Sequence, residues 1–518
     1  MDAAYSVATV RRAEAAAMVD LPGDALMQRA AFGLATRCAE LLREHRGALV
    51  GARVVVLTGS GNNGGDALWA ASMLARRGVA ATALLIGDRW HAPGAAALLR
   101  AGGRLEPVDL DVHGPIIDRA DLVLDGILGI GGSGALRSPA SEVAARAAAS
   151  SAYVVAVDLP SGVDADTGAI ADPGAVVMAQ ETVTFGCLKP GLLVSPGAQA
   201  VGHLTLVDIG LPLAEAGESV VQRVDESDAA ALLGQPGPND DKYTRGVVGV
   251  VAGSQPYPGA GILCSGSARL GGAGMVRYAG SAPEYVIPRW PEVVVAAGGP
   301  NKAGRVEAWV LGPGAGTDAE AKRRLVEVLD SDVVAVIDAD GLTLIAEDPQ
   351  LRAMVAARWD HGRITVITPH AGEFSRLGFE LPADTAADRV RAVKSAAVAL
   401  GAAVLLKGHE TVVADPNGVA FVNTLSDSAL ATAGSGDVLA GLLGSLLAAD
   451  VARYSTIDSA AAAHVAACAA LIHGLAGRLA AGTGRPVTAE DVLSSVPEAI
   501  AELRRFGSAG SSRGEGGL

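Results

Sequence analysis

Short apolar runs that end in glycine-rich loops and lead into helical patterns recur along this chain in two series, and they constrain the fold more than any other feature. The first series falls at 54–57, 83–86, 122–124, 154–157, 182–185 and 204–207. The second falls at 247–251, 275–278, 308–311, 333–337, 364–367 and 404–406. Such runs, alternating with helical segments, read as strands of a parallel sheet covered by helices on both faces. The expected fold class is α/β, with two doubly wound three-layer domains in series. Helical patterns at 10–20 and 25–44 precede the first strand. After Gly210-Leu211-Pro212 the composition turns to Ala, Glu and Gly, and near Gln235-Pro236-Gly237-Pro238 it becomes rich in turn residues. The boundary is therefore expected between Leu213 and Val224, giving domains 1–213 and 224–504. The Gly- and Ser-rich residues 505–518 are expected to form a disordered tail.

At 518 residues the chain is too long for one core, and 50% hydrophobic content supplies two. An aromatic share of 3% and a net charge of −15 argue against nucleic-acid partners. Cys38, Cys187, Cys264 and Cys468 are scattered without a C-x-x-C pair, which fits a reducing cytoplasm and no zinc site. The start lacks a basic region followed by an apolar core, so no signal peptide is expected. The Ala-rich stretch 460–476 contains His464 and His473 and reads as a buried helix, not a membrane span.

The run Gly434-Ser435-Gly436-Asp437-Val438-Leu439 places glycines where backbone N–H groups can reach a phosphate, at the positive end of an apolar helix. Asp437 would repel that phosphate, so it is better placed as a base or polar anchor for the group the phosphate meets. The bland alternative is a helix cap. Thr368-Pro369-His370-Ala371-Gly372-Glu373 puts His370 at a strand end. Lys407-Gly408-His409-Glu410-Thr411 follows another strand and suits a nucleotide phosphate. Gly312–Gly316 and the loop 271–274 complete four glycine-rich platforms, together describing a nucleotide-dependent phosphoryl-transfer site.

In the first series, Gly59-Ser60-Gly61-Asn62-Asn63-Gly64-Gly65-Asp66 links a strand to a helix. Its amide oxygens and carboxylate suit a cation or ribose hydroxyls, against a bland reading as an Asx-bonded turn. Asp125 and Asp158 each end a strand. Asn63, Asp125 and Ser161 can converge as oxygen ligands, and one carboxylate with neutral oxygens favours a large monovalent cation over Mg²⁺. Lys189 offers a donor or acid near the same edge. A turn or helix cap is the alternative for either Asp alone.

The GNNGGD loop and the Val157-Asp158-Leu159-Pro160-Ser161-Gly162-Val163 segment resemble the NAD(P)H-hydrate epimerase family over roughly 10–213. The resemblance implies a Rossmann-like domain that interconverts the (R) and (S) epimers of hydrated NAD(P)H. It implies that Asn62, Asn63, Gly64, Gly65, Asp66, Gly129, Ile130, Gly131, Gly132, Ser133, Gly134, Ala135 and Asp158 hold the hydrate. Asn63, Asp125 and Ser161 would hold K⁺, with Asp158 and Lys189 catalytic. Ala67 and Ile130 stand where the family usually has Gly and Thr. The T-P-H-x-G-E, K-G-x-x-T and G-S-G-D combination resembles the ADP-dependent NAD(P)H-hydrate dehydratases of the ribokinase-like superfamily, over roughly 224–504. That resemblance implies Ala273, Gly316, His370 and Asp437 on the hydrate. Lys407, Gly408, His409, Glu410, Thr411 and Gly436 would hold the nucleotide, ADP with Mg²⁺, and Asp437 would be the base. The segment after Asn423 lacks the glycine expected there. The implied whole is a bifunctional cofactor-repair enzyme, expected as a homo-oligomer without membrane or nucleic-acid partners. Two other readings stand beside it: a sugar or vitamin kinase fused to a nucleotide-binding regulator, and a first domain that only binds.

Overall fold

A computed structural model describes residues 1–381 and 386–514. The chain divides into two compact units, one of Asp2–Val220 and one beginning at Val221.

The first unit is built on seven parallel strands in the order Arg104–Pro107, Ala80–Leu85, Arg53–Thr58, Leu122–Gly126, Tyr153–Val157, Glu181–Phe185 and His203–Val207. The chain starts in the middle of the sheet, winds outward to one edge, and returns to wind toward the other. Arg53–Thr58 and Leu122–Gly126 therefore flank the point where the strand order reverses, and ligands of such sheets bind beyond the carboxyl ends there. Val54, Val56 and Leu124 face helices Ala25–Arg46 and Asn62–Ala75, whereas Val55, Leu57 and Val123 face Ala140–Ala149. This two-sided burial explains why the strands read as continuous apolar runs. The edge strand Arg104–Pro107 has no such run and escaped the sequence pattern, because only part of it is covered.

The second unit has the strand order Val221–Arg223, Ala420–Asn423, Thr411–Ala414, Ala403–Leu406, Thr365–Ile367, Val334–Ile337, Ala308–Leu311, Val247–Val251, Met275–Tyr278 and Val294–Val295. Thr411–Ala414 pairs antiparallel with both neighbours; the other pairings are parallel. The order reverses between Val247–Val251 and Ala308–Leu311. One face carries Pro258–Ala268, Ser435–Tyr454 and Ser459–Ala481; Ala319–Asp330, Asp340–Glu347 and Pro349–Asp360 lie on the other. Ser435–Tyr454 and Ser459–Ala481 are long and apolar enough to cross a bilayer, but most of each is buried inside the unit.

Two expectations change here. Val221–Arg223, ahead of the expected start at Val224, pairs with Phe421 and Val422 and so supplies a strand of the second sheet. The helix Ala489–Gly514 continues through much of the stretch expected to be a disordered tail, since adding a residue to an existing helix gains a hydrogen bond without a new nucleus. Residues 515–518 lie outside the described residues.

Candidate active sites

In the first unit, Gly59 leaves the strand Arg53–Thr58 so closely against the next strand's end that a Cβ there would lie 1.9 Å from the Ile127 carbonyl oxygen. The chain then turns into the helix Asn62–Ala75, with Asn62 and Asn63 in its first turn. Asn63 is buried, and neither Oδ1 nor Nδ2 has a hydrogen-bond partner. Its side chain packs on Gly129, where a Cβ would stand 3.1 Å from Asn63 Cγ. On the same stretch Asp125 is fully buried. Its Oδ1 accepts from Ser161 Oγ at 2.6 Å and its Oδ2 from the Ser161 amide at 2.8 Å. Burial pushes its carboxyl up to about 6, although the Ser161 and Ile127 hydrogen bonds pull the other way. Asn63, Asp125 and Ser161 thus meet around 125–129. A buried carboxylate and an orphaned amide oxygen are the donor types a large monovalent cation takes.

Asp158 follows the strand Tyr153–Val157 with φ 66°, a left-handed conformation that Asp tolerates better than most residues. Its Oδ1 accepts from Lys189 Nζ at 2.6 Å and from Thr184 Oγ1 at 3.0 Å. Lys189 is buried and also donates to Thr184 Oγ1 and to the Phe185 carbonyl. Burial raises the Asp66 carboxyl well above the usual range, with the charges of Asp158 and Glu14 adding to it. Burial likewise raises Glu14, helped by Asp158 and opposed by Lys189. The Lys189 ammonium is bonded to Asp158, and its charge also works to lower the Glu14 and Asp66 carboxyls. Glu14 is the member sequence reasoning missed: it lies on the first helix, Val7–Ala17, far from any glycine loop. Gly131, Ser133, Gly134 and Ala135 form an exposed loop, and the Gly132 amide donates to the Gly129 carbonyl at 2.8 Å. The two departures have packing roles. Ala67 fills the space against Gly126, where a Cβ would lie 2.6 Å from Ala67 Cβ, and Ile130 packs on Leu159, Ala165 and Leu192.

In the second unit, Lys407 leaves the strand Ala403–Leu406 and its Nζ donates to Asp338 Oδ1 at 2.7 Å, with Glu373 Oε2 at 3.7 Å. Gly436 sits opposite: a Cβ on it would be 3.5 Å from Lys407 Nζ. Asp437 occupies the first turn of Ser435–Tyr454 behind the left-handed Gly434. Burial pushes its carboxyl up to about 7; Asp338 adds to the rise, Lys407 opposes it, and Asp340 and Glu373 add less. Burial pulls the Lys407 ammonium down, yet Asp338, Glu373 and Asp437 hold it above the usual lysine range. His370 caps the helix Ala371–Arg376 through a reciprocal box: Nδ1 accepts from the Gly372 amide at 2.9 Å, and the His370 amide donates to Glu373 Oε2 at 2.8 Å. The Gly316 amide donates to Asp340 Oδ2 at 2.8 Å. A cavity of about 550 Å³ gathers His370, Lys407, Gly408, His409, Thr411 and Gly436. Ser426, Asp427 and Ser428, of the segment that lacks the expected glycine, line it as well. Glu410 is buried and accepts from His409 Nδ1 at 2.8 Å.

Ala273 does not belong to this site. Its loop precedes the strand Met275–Tyr278 and so lies at the amino edge of the sheet. Its amide donates to Ser445 Oγ at 3.1 Å, two turns along the helix from Asp437. A glycine run before a strand and one after a strand look alike in sequence but fall on opposite edges. The close-approach loop at the carboxyl edge comes instead after Val247–Val251, where Tyr257 and Ala260 pack on Gly314. Asp338, Asp340 and Glu373 were also missed as site residues, although Asp338-Ala339-Asp340-Gly341 at a strand end, with Ala339 at φ 46°, was a readable signal.

Residues 23–191 match the family model for the YjeF-related protein N-terminus, and 248–498 match that for NAD(P)H-hydrate dehydratase. The Mycobacterium tuberculosis bifunctional NAD(P)H-hydrate repair enzyme Nnr is 51% identical over 86% of this chain and 89% of its own length. The chain belongs to the bifunctional NAD(P)H-hydrate repair enzymes. The member from Mycobacterium leprae is 46% identical over 96% of this chain and 99% of its own. A solved ADP/ATP-dependent NAD(P)H-hydrate dehydratase from Bacillus subtilis, co-crystallised with ATP and Mg²⁺, is 23% identical, with a TM-score of 0.44 over 55% of this chain and 99% of that one. The two matched regions of this chain fall one in each compact unit.

Proposed function

We propose that the first cluster carries the epimerase step and the second the dehydratase step of NAD(P)H-hydrate repair, with Asp158 and Lys189 catalytic in one and Asp437 in the other. The observation that carries this reading is a carboxyl under the influence of a lysine at both edges: Asp158 accepts from the buried Lys189, and Asp437 feels the charge of the half-buried, Asp338-bound Lys407.

In the first unit, proton delivery from the Lys189–Asp158 pair lets the ring hydroxyl leave as water. The ring carbon becomes planar, and water returning to its other face gives the other epimer, with the same pair taking the proton back. K⁺ held by Asn63, Asp125 and Ser161 would fix the loops around the hydrate's phosphates. In the second unit, Asp437 takes the ring hydroxyl's proton while that oxygen accepts the terminal phosphoryl group of ADP, releasing AMP. Phosphate then leaves with the C–O electron pair, the neighbouring ring carbon loses a proton, and the double bond of NAD(P)H returns. Lys407 and the Gly436 amide stabilise the charge that moves between the phosphates. Mg²⁺ would enter with the nucleotide and neutralise that charge, with Asp338 and Glu373, the carboxylates in contact with Lys407, holding it. NADH and NADPH hydrates, a cytoplasmic setting and a homo-oligomer complete the reading.

The test offers the full chain a mixture of both hydrated NADH epimers with ADP and Mg²⁺. Recovery of the dihydronicotinamide absorbance, with one AMP and one phosphate per NADH, is expected. Release of a stable phosphorylated product instead would make the second unit a kinase.

A further inference from the structure

The nucleotide cavity runs from the Lys407–Gly436 end into an apolar slot walled by Leu425, Leu430 and Ala470. His473 lines that slot from the helix Ser459–Ala481. It is 6% exposed, and its Nε2 has no hydrogen-bond partner. Neighbouring polar wall groups have partners: Asn423 bonds both ways to Leu425, Asp427 Oδ1 accepts from the Ala429 amide, and Ser435 Oγ donates to the Leu430 carbonyl. The position is built to a close tolerance. A Cβ on Gly474 would lie 2.1 Å from the Leu425 carbonyl oxygen, and one on Gly477 would lie 2.6 Å from Leu430.

Resting on the nucleotide-dependent reading of this unit, we infer that His473 selects the base: its Nε2 accepts a hydrogen bond from the 6-amino group of adenine. The tautomer supports this. The ring is hydrogen-bonded to the Ser435 backbone in the sense that favours the protonated ring, so the ring donates. With Nε2 unpartnered, that donor is Nδ1–H. Burial, with the charge of Lys407 in the same direction, pushes the imidazole down to about 4, so near neutral pH Nε2 is a bare acceptor. A buried acceptor without a donor is rare in folded proteins and calls for a partner. A 6-oxo purine would bring an acceptor to the same point and be rejected.

Calorimetry on the full chain without hydrate tests this with ADP, its 6-deamino analogue (purine riboside 5′-diphosphate) and GDP. ADP should bind about tenfold tighter than the 6-deamino analogue, the worth of one hydrogen bond, and GDP should bind more weakly still. In His473→Leu the two 6-substituent forms should bind alike, and His473→Gln, which keeps an acceptor, should restore part of the difference. On the unmodified protein, the ¹⁵N resonance of His473 Nε2 should shift with ADP and not with the 6-deamino analogue, a readout that needs no variant to fold. Equal affinity for ADP and the 6-deamino analogue, or an unmoved Nε2 resonance, overturns the inference and leaves the dehydratase reading standing. Failure of any adenine nucleotide to bind removes that reading and the inference with it.

Discussion

The role proposed for Asp437 and its place in the fold pull its environment in opposite directions. To act as a base it must be ionised; to sit in the first turn of Ser435–Tyr454 beside Asp338 and Asp340 it must resist ionisation. Its carboxyl at about 7 is the compromise, and it fixes a sign. Activity requires the deprotonated form, so kcat/KM for repair should fall tenfold per pH unit below about 7. The stability effect runs the other way. The folded state keeps a proton that the unfolded chain releases in the ordinary carboxylate range, so this contribution is complete below that range and is lost as pH rises through about 7. Asp437→Asn should therefore lose repair by about 10²–10⁴-fold, keep ADP binding, and raise Tm at pH 8 but not at pH 4. Near-normal turnover by this variant would take Asp437 out of the chemistry. Asp125, pushed up to about 6, sets a second window. K⁺ stimulation of epimerisation should fade as pH falls through about 6 and should be absent in Asp125→Ala. Epimerisation by that variant as fast and as K⁺-dependent as the parent's would show that the cation sits elsewhere. At this scale the sequence was legible where a polar residue ended an apolar strand or opened a helix behind a glycine loop: Asp125, Asp158 and Lys407 in the first case, Asn63 and Asp437 in the second. Glu14 and His473 were not legible as site residues, because they come from the middles of helices and reach their sites only by tertiary packing.

Helices carry the second kind of constraint, and Ser435–Tyr454 shows it best. Its glycines are packing residues as well as loop residues. A Cβ on Gly441 would fall 2.1 Å from the Cys264 carbonyl oxygen, and one on Gly444 would fall 2.0 Å from a Val310 methyl. The helix is thus pressed onto both Pro258–Ala268 and the strand Ala308–Leu311, and this fixes where Asp437 points. Gly441→Val should destabilise the second unit by about 1–3 kcal/mol or more through overpacking. Urea unfolding would register it in the second unit's transition, while epimerase activity should be untouched. A variant as stable as the parent would mean that the helix is free to move away. Element existence was readable here because every central strand is buried on both faces. The hairpin Thr411–Ala414 and Ala420–Asn423 was passed over: its strands are short, and its antiparallel pairing interrupts the strand–helix alternation that guided the reading. The misplacement of Ala273 has the same root, since periodicity finds a strand but does not say which of its ends a ligand meets.

At the scale of the whole molecule, the proposed assignment gives each unit one half of the repair. A group that phosphorylates a hydroxyl on a chiral carbon accepts one configuration, so half of a hydrate mixture would accumulate without a second activity that inverts it. Each unit has its own buried core, so each should fold alone when the chain is cut between Val220 and Val221, which keeps the strand Val221–Arg223 with its partner Ala420–Asn423. Residues 221–514 should repair one epimer with ADP and then stall, apart from slow spontaneous exchange. Residues 1–220 should interconvert the epimers with no nucleotide and restore no absorbance. Adding the second protein to the stalled first should release the stall, and Lys189→Met in residues 1–220 should abolish that release while leaving the folded spectrum intact. Complete and equally fast repair of both epimers by residues 221–514 alone would defeat the division, because the site around Asp437 would then accept the hydroxyl on either face of the ring.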